Sequence, residues 1–408
     1  MMMIRLIASL LFLATMAGSG FSQASVWSIQ KDVAFLSSDL TQGRMTGTNG
    51  ERLSARYIAE RYAQIGLTPK GEEGYYQTFT FKAPANPHDT KGEGEEKTCT
   101  NVVGYIDNGA PTTVIIGAHY DHLGLGGSGS GSLSTDVDEI HNGADDNASG
   151  VAALLYIAEQ LNKGKDKANN YLFIAFSGEE LGLFGSKHYA DDPTIDLTTA
   201  NYMINMDMVG RLDSVLVING VGTSPSWSSS LDKINTEGFS ITTTESGVGP
   251  SDHTSFYRKD IPSIHFFTGQ HKDYHKPSDD ADLVNHEGIQ QVSDYILALI
   301  HQLDKQDKLA FTKTKDTDSR KAASFKVTLG VMPDYTFQGD GMRIDGVLDD
   351  RPAQKAGLED GDIILQIGET SIGNIYDYMG ALANYSKGQK AMVKVKRKDQ
   401  VMEKEVEF

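Results

Sequence analysis

Five clusters of histidine, aspartate and glutamate punctuate this chain, each just beyond an apolar run that reads as a β-strand, and this pattern constrains the fold more than any other feature. They are His119-Tyr120-Asp121, Asp145-Asp146-Asn147, Glu179-Glu180, Asp207, and His275 in a loop after Phe267. In doubly wound α/β folds the carboxyl ends of the strands share one edge, and ligands bind there. The apolar runs fit that architecture. Thr113 to Ile116 and Tyr171 to Phe176 flank a helical pattern in which Val151, Leu154, Leu155, Ala158 and Leu161 share a face, the rhythm of a βαβ unit. Strand patterns recur at Tyr202 to Met206, Val215 to Asn219 and Ile264 to Phe267, and a closing helix runs through Ile289, Val292, Ile296, Ile300 and Leu303. Leu53, Tyr57, Ile58, Tyr62 and Ile65 place an N-terminal helix over 51–65 that stops at Gly66. The expected fold class is α/β, a mixed sheet covered by helices on both faces.

The residue types point to metal chemistry. Two divalent ions about 3.5 Å apart need a shared carboxylate and terminal nitrogen or oxygen ligands, and can hold an activated water between them. Two histidines, two terminal carboxylates, one bridging carboxylate and a spare glutamate meet that requirement. Imidazole and carboxylate without thiolate favour zinc, and manganese or cobalt are compatible. Asp121 is placed to accept from the second ring nitrogen of His119. Singly, an Asp-Asp reads as a turn or cap and a lone histidine as a structural residue; their joint occurrence at successive strand ends reverses that balance.

Gly-Ala-His119-Tyr-Asp121, Gly-Ala-Asp-Asp146-Asn-Ala-Ser-Gly, Ser-Gly-Glu179-Glu180-Leu-Gly-Leu, Asn-Met-Asp207-Met and Tyr274-His275 resemble the ordered motifs of metallopeptidase family 28, the cocatalytic zinc aminopeptidases, over roughly residues 31 to 304. The resemblance implies two zinc ions per chain: His119 and Asp207 on one, Glu180 and His275 on the other, Asp146 bridging them, and Glu179 as general base. It also implies a cis bond between Asp146 and Asn147. Some relatives carry an oxyanion-stabilising tyrosine where this chain has Val248, so Tyr274 is the candidate for that role, with simple packing as the competing reading. The implied activity is removal of N-terminal residues from peptides with a free N-terminus through a metal-bridging water. A glutaminyl cyclase, which resembles the same fold but uses a single zinc, and a non-catalytic peptide-binding scaffold are the alternatives.

With 408 residues the chain exceeds the size of one hydrophobic core. Residues 304 to 323 are rich in Lys, Asp, Thr and Ser and read as a solvated linker. The expected division is a leader over 1–24, a peptidase domain over 25–304, a linker over 305–323 and a small β-rich domain over 324–408. In the last segment Thr328-Leu329-Gly330-Val331, Arg351-Pro352-Ala353, Ala356-Gly357-Leu358 and Gly361-Asp362-Ile363-Ile364 resemble a PDZ domain. That likeness implies a carboxylate-binding loop at Leu329, Gly330 and Val331 for a peptide C-terminus. An uncharged run from Leu6 to Ala17 followed by Ser22-Gln23-Ala24 reads as a cleaved secretory signal, too short to anchor in a membrane, and places the protein in the periplasm or medium. A net charge of -18 opposes nucleic-acid binding. Cys99 is the single cysteine and reads as a small buried thiol. Gly124, Gly126 and Gly129 match G-x-G-x-x-G, but no helix opens behind them, and the stretch to Ser132 reads as a mobile rim.

Overall fold

The computed structural model describes residues 26–83, 95–127, 130–134, 138–164, 167–235, 238–314, 327–333, 337, 339–347, 351–373, 375–398 and 400–408. The expected leader at 1–24 and the stretch 315–326 lie outside these residues. In chain order the first part comprises α1 (26–36), α2 (Asn49–Ile65), β1 (Thr68–Pro69), β2 (Tyr76–Ala83), β3 (Glu95–Ile106), β4 (Thr113–His119), α3 (Gly150–Lys163), β5 (Asn170–Phe176) and α4 (Phe184–Asp191). It continues with β6 (Ala200–Met206), β7 (Val215–Asn219), α5 (Ser226–Ile234), β8 (Ser240–Thr244), α6 (His253–Tyr257), β9 (Ser263–Phe267) and α7 (His286–Leu303).

One mixed sheet runs β1-β3-β5-β4-β6-β9-β7-β8, with β2 added on β3. Its centre is parallel, β4 pairing with both β5 and β6, and β6 with β9. Strands β4, β5 and β6 are mostly apolar, and all three are buried along their whole length, as strands covered on both faces must be. Alternation sorts their side chains. Val114, Ile116, Ala118, Tyr171 and Phe173 join the core under α2, α3 and α7, whereas Ile115, Leu172, Ile174 and Phe176 pack with Tyr189 of α4 and Phe256 of α6. The register sets His119 beside Phe176 and Met206 beside Phe266, so β4, β5, β6 and β9 finish at one edge and deliver the polar clusters there.

Helix α2 begins where the Thr48 side chain caps Glu51 N–H and stops at Gly66, whose φ is 94°. Its buried face is Ala55, Ile58, Ala59 and Tyr62; Leu53, expected on that face, points outward at 38% exposure. Cys99 is buried with its thiol toward the Phe79 carbonyl, and burial raises its pKa well above the usual thiol range.

The stretch expected as a solvated linker is docked in its first part. Leu309 is buried and its N–H donates to Asn201 Oδ1 at 2.8 Å. Thr312 N–H donates to the Thr223 carbonyl at 2.8 Å, Thr314 Oγ1 meets the Tyr257 hydroxyl at 2.9 Å, and Phe311 packs on the Tyr257 ring. Leu309 and Phe311 are the apolar residues that make this possible, and composition averaged over the segment hides them.

A second sheet, β10 (Val331–Pro333), β11 (Met342–Val347), β12 (Ile363–Ile367), β13 (Thr370–Ser371), β14 (Lys390–Arg397) and β15 (Gln400–Glu407), accompanies α8 (Pro352–Lys355) and α9 (Ile375–Leu382). It has its own core, including Leu329, Ile344, Ile364, Val393 and Val406. Its first strand begins at Val331; residues 327–330 carry no regular element.

Arg44 links the layers. It is fully buried, and its guanidinium donates to the carbonyls of Tyr120 at 2.7 Å, Leu36 at 2.6 Å, Asn142 at 2.6 Å and Gly143 at 2.9 Å. Burial lowers its pKa to about 10 against the pull of Asp146 and Asp121. Removing the guanidinium leaves several buried carbonyls without donors, so Arg44→Met is expected to cost more than about 3 kcal/mol of stability in urea unfolding. A loss below about 1 kcal/mol would contradict this role.

Candidate metal centre

At the shared strand edge the segment Gly143-Ala144-Asp145-Asp146-Asn147-Ala148-Ser149 leads into α3, with a cis bond between Asp146 and Asn147 as expected. Almost every polar group in it holds Asp146 in place. Asp279 Oδ2 accepts from the N–H groups of Asp145 and Asp146, each at 3.0 Å. Asn147 donates to the Met206 carbonyl and accepts from Gly150 and Met208 N–H. Ser149 Oγ donates to the Asp145 carbonyl and accepts from Val209 N–H. Asp145 Oδ1 accepts from Gly210 N–H at 2.6 Å, so Asp145 braces the loop while its neighbour faces the cleft.

The two Asp146 oxygens look in different directions. Oδ1 stands 3.4 Å from His119 Nε2, which in turn lies 3.2 Å from Asp207 Oδ1. Oδ2 stands 3.2 Å from His275 Nε2, which lies 3.1 Å from Glu180 Oε2. Two donors bound tetrahedrally to one zinc at its usual bond lengths are about 3.3–3.5 Å apart. These separations therefore fit two ions with Asp146 between them, and the neutral-imidazole and carboxylate donor set suits zinc. Ligand atoms of His119, Asp146 and Asp207 form one compact group, and those of His122, Asp146 and Glu180 another.

Burial disfavours charge on all these groups, yet Asp146 is held well below the ordinary carboxylate range by hydrogen bonds to His119 and His275. Glu180 falls to about 2 against the same burial, chiefly through the charge of His275. Glu179, its neighbour, goes the other way, raised well above the usual range by burial. The two adjacent carboxyls thus occupy electrostatically opposite environments.

The structure also places the remaining candidates. Asp121, the residue expected at the second ring nitrogen of His119, has its carbonyl oxygen 3.3 Å and its Oδ1 3.7 Å from His119 Nδ1. The carboxylate accepts from Glu179 N–H at 3.2 Å and the Thr46 hydroxyl at 2.9 Å. Tyr274 stacks on the His275 ring at 3.8 Å between centroids and packs against the small apolar cluster of Met208, Val217 and Phe267. The glycine-rich stretch contributes directly: the Gly131 carbonyl lies 3.0 Å from His275 Nδ1, fixing a ligand candidate whose own φ is 55°.

Sequence reasoning passed over four residues here: Arg44, His122, Gly131 and Asp279. A signal existed only for His122, three positions after His119 at the same strand exit. The cleft above these residues has a volume of about 730 Å³, and Phe337, Gly341 and Met342 of the C-terminal segment line it beside His119, Glu179 and His275.

Residues 101–300 match the model of peptidase family M28, and residues 309–408 match that of the PDZ domain. Aminopeptidase YwaD of Bacillus subtilis (strain 168) is 30% identical over 228 residues, 53% of this chain and 46% of its own length, so the chain spans less than half of that relative. Among solved structures, a zinc aminopeptidase from Bacillus subtilis superposes with a TM-score of 0.54 at 20% identity, covering 72% of this chain and 96% of that one. A glutaminyl cyclase from Porphyromonas gingivalis gives 0.54 at 19%, covering 70% and 98%. Identities this low establish a common fold and leave its chemistry to the site.

Ligands that bind only the folded chain add to its stability. Dialysis against a chelator is therefore expected to lower the melting temperature by at least about 5 °C, with zinc restoring it. A melting temperature indifferent to both treatments would contradict a metal centre.

Proposed function

We propose, from the premise that the chain carries a peptidase family M28 domain over residues 101–300 and a PDZ domain over residues 309–408, that it is an exported, dinuclear zinc aminopeptidase. The observation that carries this reading is the Asp146 carboxylate, whose oxygens face two separate histidine–carboxylate pairs at 3.1–3.4 Å. His119 and Asp207 would hold one ion, His275 and Glu180 the other, and Asp146 both. Bound there, the ions would act as Lewis acids that polarise a substrate carbonyl and acidify water.

The chain's own groups do the rest. Glu179 lines the cleft and coordinates nothing in this scheme, so it takes the proton from the attacking water and passes it to the leaving amine. Its backbone is fixed by the Asp121 carboxylate. Tyr274, packed on His275 at the cleft wall, is the candidate to steady the developing oxyanion. Phe337, Gly341 and Met342 on one side of the cleft support a role for the C-terminal domain in substrate access. In that domain β10 is an edge strand, and Gly330 has a φ of 72° with Arg351 packed where its side chain would be. Both features suit addition of a peptide as a strand, its C-terminal carboxylate at the Leu329-Gly330-Val331 loop. Among the described residues no helix is long and apolar enough to cross a membrane, and export rests on the leader pattern at 1–24.

The test is release of free amino acid from aminoacyl anilides. Wild-type chain should release it, while Glu179→Gln keeps its metal content and loses at least about 100-fold in kcat. Unchanged turnover would eliminate Glu179 as the base, and pyroglutamate formation on one ion per chain would identify a cyclase instead. Truncation after Thr314 should spare cleavage of dipeptide analogues and alter KM only for longer peptides. A soluble, folded truncation with no activity on any substrate would show that the C-terminal domain is part of the active site.

A further inference from the structure

We infer that His122 is a positioning residue that fixes which oxygen of Glu180 faces the cation position shared with His275. The inference rests on the two-cation reading above and concerns a histidine outside the expected ligand set. The His122 side chain is wholly buried, and its Nδ1 lies 2.7 Å from Glu180 Oε1. That separation is a charge-assisted hydrogen bond, shorter than the roughly 3.3 Å between two donors on one zinc. The same nitrogen is 3.9 Å from Asp146 Oδ2, beyond hydrogen-bond reach. Meanwhile Glu180 Oε2 lies 3.1 Å from His275 Nε2. The two oxygens of Glu180 thus have different partners. With Oε1 engaged, the carboxylate cannot rotate to exchange its oxygens or offer both, and Oε2 alone is presented to an ion. Hydrogen-bonded carboxylate ligands of this kind raise metal affinity by orienting the donor in advance.

The direction of the bond follows from the chemistry. An ionised carboxylate only accepts, so Nδ1–H is the donor in this bond. His122 Nε2 is buried without a hydrogen-bond partner among the described residues, which leaves the tie to Glu180 as the interaction that sets the ring's purpose. The ring is also locked sterically. His122 N–H donates to the Arg44 carbonyl at 3.3 Å. A side chain on Gly143, whose φ is 54°, would stand 2.5 Å from ring Cδ2 and 2.6 Å from Cγ. Glycine therefore permits the segment that carries Asp146 to lie directly on the imidazole, and neither can move without the other.

The experiment is zinc titration of the full-length chain in competition with a chromophoric chelator, comparing wild type with His122→Leu, which fills the space without a donor, and His122→Asn, whose amide can replace Nδ1–H. Two ions should bind wild type. His122→Leu should weaken one of them by about 10- to 100-fold and leave the other unchanged, and His122→Asn should recover most of the loss. Circular dichroism of the metal-free proteins controls for folding, and if the leucine variant is unfolded the asparagine variant is compared with His122→Ala. Wild-type affinity at both positions in the donor-less variant would overturn the inference, as would equal weakening in the asparagine variant, which would assign the effect to ring bulk. Fewer than two ions on wild type would overturn the two-cation reading itself.

Discussion

The Asp146 carboxylate is the group around which the molecule is arranged. It sits buried among Asp207, Glu179 and Glu180, with His119 and His275 on either side, and ionised carboxylates in a protein interior need positively charged or hydrogen-bonding partners. The neighbouring sequence restrains it heavily. Asp279 grips its backbone from one side, Asn147 and Ser149 tie the segment to the end of β6, and Arg44 places a buried positive charge beneath it while satisfying four carbonyls from three separate segments. A carboxylate so thoroughly tethered is preorganised, and preorganisation would let binding energy act at the proposed metal centre rather than in ordering the loop.

The sheet explains why these restraints can be met. Parallel strands with both faces buried are stiff, and their register brings His119, the Glu179-Glu180 turn and Asp207 to one edge without further adjustment. The helices cover the sheet, α3 and α7 on one face and α4 and α6 on the other supplying the apolar contacts. The C-terminal domain has a separate core, distinct from the two that pack on either face of the strands ending at His119, Phe176 and Met206.

Much of this was legible in the sequence because the relevant signals are local. Apolar runs of strand length followed by acidic or histidine residues give both the sheet and its functional edge, and the spacing of Val151 to Leu161 gives α3 in place. What could not be read is what depends on partners distant in the chain. Arg44 acts through carbonyls up to 99 positions away, Asp279 through amides 133 and 134 positions away, and Gly131 through its backbone alone; no side-chain pattern announces such roles. Proximity in sequence did suggest Asp121 for the His119 ring, but not that its carboxylate also accepts from Thr46 and the Glu179 amide. The docked stretch around Leu309 shows the limit of composition, since two apolar residues in a polar segment are enough to hold it down.

The account turns on whether one carboxylate holds two ions, and anomalous diffraction from crystals grown with zinc tests this most directly. Two anomalous peaks about 3.5 Å apart, one on each side of the Asp146 carboxylate, are the predicted result. A single peak there, or zinc found only elsewhere on the chain, would contradict it.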